Sequence, residues 1–192
     1  MAEARVCPSP MMGPSTTRRV FLVGFMGAGK TSVGQELARR LGWRFHDLDA
    51  VIETRERSTV DAIFAASGEA GFRQAETAAL LELLERDLAH DNAIVALGGG
   101  TFAQPPNREA LRRHGAITVL LDAPLEELER RCRNAENVRP LAREKSGFER
   151  LFADRRDAYL LAQFRVETAG RDIEQVAREV ENILKIHAER KA

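Results

Sequence analysis

Cysteine is scarce in this chain, with two among 192 residues, Cys7 and Cys132. They stand far apart and in no metal-ligand spacing, which excludes a disulfide framework and a zinc site; both read as incidental thiols. An excess of one charge is missing too. Lys+Arg and Asp+Glu are both 29, a formal net charge of +0, so nothing suggests a nucleic-acid stripe or a polybasic membrane anchor, and small molecules are the expected substrates. The longest apolar runs fall far short of the roughly 18 residues that span a bilayer, and no signal-type apolar core follows the N-terminus. A cytoplasmic protein with no membrane partner is expected. Internal repeats and low-complexity tracts are absent as well.

What is present suffices for one core: 44% of residues are hydrophobic in a chain the size of a single domain with a small lid. Residues 1–18, with Pro8, Pro10, Gly13 and Pro14, show no periodicity and read as a flexible extension. Residues 19–192 then form one domain.

The strongest signal is Gly24-Phe25-Met26-Gly27-Ala28-Gly29-Lys30-Thr31, which fits the phosphate-binding pattern G-x-x-x-x-G-K-[ST]. Upstream, Val20-Phe21-Leu22-Val23 reads as a buried parallel strand; downstream, Val33, Leu37, Ala38 and Leu41 recur at helical spacing from Ser32 onward. Glycines there let backbone N–H groups curl round phosphate oxygens, and the helix N-terminus presents its unpaired N–H groups to the same anion. Gly27, Ala28, Gly29, Lys30, Thr31 and Ser32 are therefore the expected triphosphate contacts. Lys30 reaches the β- and γ-phosphates, and the Thr31 hydroxyl ligates the accompanying Mg²⁺.

The remainder alternates strand and helix. A strand over residues 43–46 ends in Asp47-Leu48-Asp49 and is followed by a helix to about Arg57. Ser58 or Thr59 caps the next helix, which Gly68 breaks before a longer one with Ala75, Ala78, Ala79, Leu81 and Leu84 on its inner side. A buried strand, Ala93 to Leu97, runs into Gly98-Gly99-Gly100. A helix over residues 107–114, a strand over 116–121 and a helix opened by Pro124 follow. Residues 133–147, charged and irregular with Pro140, read as a mobile lid; then come a helix running towards Phe164, a short strand near Val166 and an amphipathic helix over residues 173–188. This alternation predicts a three-layer α/β fold, a parallel sheet with helices on both faces. The phosphate loop, Asp47/Asp49, the glycine triplet and Asp122 all fall at strand carboxyl ends, where such sheets bind ligands, and the first three could share one cleft. Taken alone, Asp47/Asp49 also reads as a helix cap beside a solvated acid, and Arg73/Glu76 as an exposed i,i+3 ion pair worth about 0.2–0.5 kcal/mol.

A bare phosphate loop suits motors, switches and transferases alike. The accompanying residues decide: Phe45-His46-Asp47-Leu48-Asp49, Gly68-Glu69 followed by Phe72-Arg73-Gln74-Ala75-Glu76, Gly98-Gly99-Gly100, Arg139-Pro140-Leu141, and Arg155 four residues before Tyr159. In order and spacing these resemble the shikimate kinases from about Arg19 onward. The resemblance implies a nucleoside-monophosphate-kinase-like fold, a substrate-binding segment near residues 49–80, a lid near 131–147, and ATP and shikimate as partners of a chain expected to be a monomer. It implies that Asp49 holds the acceptor hydroxyls and could take a proton, and that Arg73 and Arg155 bind the carboxylate, with Arg156 left as surface charge. By the same resemblance Gly98 to Gly100 approach the acceptor, Arg139 closes over ATP, Asp47 reaches Mg²⁺ through water, and Arg131 or Arg133 packs near the adenine. Catalysis would rest on Lys30, Asp49 and Arg139. A gluconate or nucleoside-monophosphate kinase is the nearest alternative. A nucleotide-dependent switch would be expected to carry an N-K-x-D element, which the sequence lacks.

Overall fold

The computed structural model describes residues 18–88, 91–134 and 145–190. The leader read as a flexible extension lies outside these residues except for Arg18, as does most of the expected lid, Arg139 included. Five strands form one parallel sheet in the order β2-β3-β1-β4-β5. They are β1 (Arg19–Val23), β2 (Arg44–Asp47), β3 (Ala93–Ala96), β4 (Ile117–Asp122) and β5 (Phe164–Glu167). Val20 of β1 lies opposite Ile94 of β3 on one side and Ile117 of β4 on the other.

Successive residues of a strand point to opposite faces, so a strand buried at every position must be covered on both. All of β3 and β4 are buried, and so is β1 after its first residue. The edge strands β2 and β5 are only partly buried. The expected layering of helices over both faces of the sheet follows from this pattern.

The covering helices are α1 (Lys30–Leu41), α2 (Leu48–Glu56), α3 (Val60–Glu82), α4 (Pro105–Arg113), α5 (Leu125–Arg133), α6 (Lys145–Tyr159) and α7 (Ile173–Glu189). Gly68 interrupts α3 as expected: its φ of 66° and ψ of −172° are not helical. Several boundaries differ from the sequence reading, most by one residue and four helix boundaries by more. Helix α1 starts at Lys30, and α4 starts at Pro105, because proline fits a first turn whose N–H is unpaired anyway. Residues 145–147, assigned to the lid, belong to α6, and α6 stops at Tyr159 rather than running on towards Phe164.

The inner face of α3 also differs. Phe72, Glu76, Ala79 and Leu80 are buried, with Leu83 and Leu84 just beyond, while Ala75, Ala78 and Leu81 are only partly covered. The true stripe has a carboxylate at its centre, which a count of apolar residues passes over.

Helix α7 packs on α1 and closes the fold. Its start is fixed by a capping box: Asp172 accepts from Gln175 N at 2.8 Å, and the Gln175 side chain accepts from Asp172 N at 3.2 Å. Asp172→Ala should lower unfolding stability by about 1 kcal/mol, read in urea as an earlier midpoint with unchanged slope. An unchanged midpoint would mean that the box contributes nothing.

Candidate active site

The segments that leave the carboxyl ends of β1, β2 and β3 line one cleft, as the sequence suggested. The first is the phosphate loop. Gly29, at φ 89°, ends it as the N-cap of α1; no side chain caps the helix and no acid stands in its first turn. The helix N-terminus therefore keeps its donors and partial positive charge for an anion. Lys30 folds back over the loop, its Nζ donating to the carbonyls of Gly24 at 2.8 Å and Phe25 at 3.0 Å. Thr31 Oγ1 donates to Asp47 Oδ2 at 2.8 Å, and Asp47 Oδ1 accepts from the Asp49 N–H at 3.1 Å. Asp47 thus caps α2 and faces the Thr31 hydroxyl as well. The cap reading of this acid holds.

The second cluster surrounds the glycine triplet. A Cβ added to Gly98 would lie 2.8 Å from Asp49 Oδ1, one on Gly99 3.4 Å from Arg155 Nη1, and one on Gly100 2.5 Å from Arg73 Nη1 and Nη2. The first and third distances are shorter than real contacts. Close approach, not a left-handed turn, is what demands glycine here. Each glycine has one expected pocket side chain lying over it.

The Arg73–Glu76 pair is not an exposed one, although Arg73 also reaches the exposed Glu69 at 3.4 Å. Arg73 Nη1 donates to Glu76 Oε2 at 2.8 Å, and Glu76 has no exposed surface. The other oxygen of Glu76 accepts from Thr101 Oγ1 at 2.6 Å. Arg73 Nε is buried without a hydrogen-bond partner. Glu76 is the member of the site that the sequence reading undervalued. Its signal was position: it stands four residues after Phe72 and four before Leu80, inside the buried stripe.

Arg155 and Arg156 part company on α6. Arg155 lies against Gly99 and Tyr159. Arg156, expected as surface charge, instead forks onto Asp122, Nη1 to Oδ1 at 2.6 Å and Nη2 to Oδ2 at 2.8 Å. Asp122 is 4% exposed, and a carboxylate so placed must be paired. Further along the cleft, Arg131 crosses the phosphate loop, donating to Gly27 O at 3.4 Å, Thr168 Oγ1 at 3.1 Å and Thr168 O at 2.7 Å. Glu127 steadies it from below; hydrogen bonds from Arg130 and Arg131 hold that carboxyl down at about 2. Arg133 instead pairs with Glu129 at the surface. Of the two arginines considered near the adenine, Arg131 is the one that reaches the loop. Cys132 also lines the cleft.

Tyr159 is buried, and its hydroxyl donates to the Gly99 carbonyl. Burial pushes the phenol up to about 12, against the opposing charge and hydrogen bond of Arg155. Its folded-state value exceeds that of an exposed tyrosine, about 10. The stabilisation is therefore complete below about pH 10 and is lost as pH rises towards 12. Tyr159→Phe should flatten this alkaline limb of stability in thermal melts from pH 9 to 11. A limb of unchanged steepness would detach Tyr159 from it.

Comparison with known proteins agrees with this geometry. The family described as Shikimate kinase matches residues 26–185. A shikimate kinase of Geobacter metallireducens is 40% identical over 179 residues, covering 92% of this chain and 97% of its own length. The solved structure of shikimate kinase from Acinetobacter baumannii in complex with shikimate superposes with a TM-score of 0.79 at 35% identity, over 90% of this chain and 95% of that one. A gluconokinase from Sinorhizobium meliloti 1021 shares the fold alone: TM-score 0.64 at 20% identity, over 90% of this chain and 94% of that one. With a family match over most of its length and relatives this similar, the chain belongs to the shikimate kinase family.

Proposed function

We propose that this cleft transfers the γ-phosphoryl group of ATP to the 3-hydroxyl of shikimate, giving ADP and shikimate 3-phosphate. The observation that carries the reading is the convergence of Asp49, Arg155 and Arg73 on Gly98, Gly99 and Gly100 beside the phosphate loop. One carboxylate and two guanidinium groups over a bare backbone turn suit a ligand with several hydroxyls and one carboxylate. A planar guanidinium matches that carboxylate in a fork.

The loop N–H groups, the α1 N-terminus and Lys30 hold the β- and γ-phosphates. Arg73 and Arg155 hold the acceptor carboxylate, which presents the hydroxyl to Asp49. Asp49 orients that hydroxyl and takes its proton as the new O–P bond forms and the bond from γ-phosphorus to the ADP oxygen breaks. Little covalent chemistry is asked of the protein; positioning and fixed charge supply the rate.

Thr31 and Asp47 fit Mg²⁺: a hydroxyl and a carboxylate 2.8 Å apart are hard oxygen ligands at the mouth of the phosphate loop. When bound, the ion neutralises charge on the phosphate oxygens. Arg139, outside the described residues, would add a lid cation over the same phosphates and help exclude water. On this reading the enzyme works as a cytoplasmic monomer. No helix among the described residues is long and apolar enough to cross a membrane.

ADP formation should depend on shikimate, with gluconate, nucleoside monophosphates and no acceptor close to background. Preference for another acceptor would overturn the reading. Asp49→Asn should lower kcat by about 100-fold or more, the usual range for a lost general base, with an unchanged circular dichroism spectrum; near-native turnover would remove Asp49 from catalysis. Gly100→Ala tests the turn itself. The new methyl would lie 2.5 Å from the Arg73 guanidinium that is paired with buried Glu76, so stability should fall and KM for shikimate should rise about tenfold, the cost of displacing a positioned group by less than about 1 Å. An unchanged KM would refute the close fit.

A further inference from the structure

Arg156 is left over from the reaction just described, yet it forms a two-bond ion pair with Asp122. Its guanidinium forks onto both oxygens of Asp122 and lies 5.6 Å from the centre of the Phe152 ring. Asp122 is in turn held from three sides. One oxygen accepts from the Ala123 N–H at 3.1 Å and the other from Arg165 at 2.8 Å. Its carbonyl accepts from Thr168 N at 2.7 Å and Thr168 Oγ1 at 3.0 Å. Thr168 is bound by Arg131, which also reaches the phosphate loop. The carboxylate that receives Arg156 is therefore fixed to the sheet and to the nucleotide end of the cleft.

At its last residue α6 is also held by the buried Tyr159 hydroxyl, which donates to the Gly99 carbonyl; the contacts along its middle constrain its rotation less. Phe148 and Phe152 pack edge-on against Phe25 of the phosphate loop, with ring centres 5.0 and 5.3 Å apart. Such apolar contacts are tolerant of rotation, whereas a two-bond fork is not. Consecutive helical residues are about 100° apart, so any rotation of α6 that shifts Arg156 shifts Arg155 by the same angle. At a side-chain radius of about 6 Å, a turn of about 10° moves a guanidinium by about 1 Å. Misplacement on that scale can cost on the order of 100-fold in an active site.

We infer that Arg156 is a positioning residue for acceptor binding: by clamping α6 to Asp122 at the end of β4, it sets, together with the Tyr159 bond to Gly99, the rotation that aims Arg155 at Gly99. The inference rests on the reading of Arg155 as a ligand of the acceptor carboxylate. It assigns Arg156 no contact with the acceptor.

The test is steady-state kinetics of Arg156→Met, Asp122→Asn, the double variant, Arg165→Met and Arg155→Ala, at a temperature well below each melting point. Arg156→Met and Asp122→Asn should each raise KM for shikimate about tenfold, leaving KM for ATP within about twofold. The double variant should be no worse than the poorer single one, because both remove the same clamp. Arg165→Met, which removes an exposed partner of Asp122 but leaves the Arg156 fork and the Ala123 and Thr168 bonds that fix Asp122 in place, should leave KM for shikimate unchanged. A lower melting point with unchanged KM in Arg156→Met would reduce the pair to a stabilising contact and overturn the inference. A raised KM in Arg156→Met with an unchanged or lower one in Asp122→Asn would overturn it differently, by showing that Arg156 touches the acceptor itself. If Arg155→Ala binds shikimate normally, the pocket assignment fails. If only Arg155→Ala is impaired, that assignment stands and the clamp falls.

Discussion

A carboxylate with no exposed surface governs the glycine-turn half of this cleft. Glu76 is buried on α3, where an unpaired charge would be prohibitively costly, so its two oxygens must be occupied. Arg73 takes one and Thr101 the other. Those two bonds tie α3 to the short 3₁₀ turn, Thr101–Ala103, that follows β3, and they fix where the Arg73 guanidinium must lie. Its location then dictates the backbone beneath it, since any residue larger than glycine at position 100 would occupy the same space. Burial, pairing and close approach form one chain of necessity from helix to turn to pocket.

The nucleotide half follows a different logic. Its parts are backbone donors and a helix end, held by the packing of Phe25 beneath α6. Asp47 connects the halves: it caps α2, the helix that carries Asp49, and it accepts from the Thr31 hydroxyl in the first turn of α1. A residue with both duties cannot be assigned to structure or to chemistry alone.

Much of this was legible in the sequence. Short-range pattern revealed the phosphate loop, the strand ends carrying Asp47, Asp49 and the glycine triplet, and the break at Gly68, because local spacing or backbone conformation determines each. The family resemblance singled out Arg73 and Arg155, and the structure brings both to the glycine turn. What stayed hidden depends on partners distant in the chain. Arg156 looked like surface charge because its partner, Asp122, lies 34 residues away. Glu76 looked exposed because helical periodicity counts apolar side chains and skips a carboxylate in the same stripe. The reasons for glycine at positions 98 and 100 also come from other segments, Asp49 and Arg73.

The placement of Tyr159 has a practical side. It is the chain's single tyrosine, and Trp43 its single tryptophan. Tyr159 sits at the glycine turn beyond the carboxyl ends of the strands, while Trp43 immediately precedes β2 at the opposite, amino end of the sheet. The two natural chromophores thus watch opposite poles of the molecule. Tyrosine absorbance reads the polarity of the glycine turn, and tryptophan emission reads the packing of the sheet's far edge, so changes at the cleft and unfolding can be followed separately in unlabelled protein.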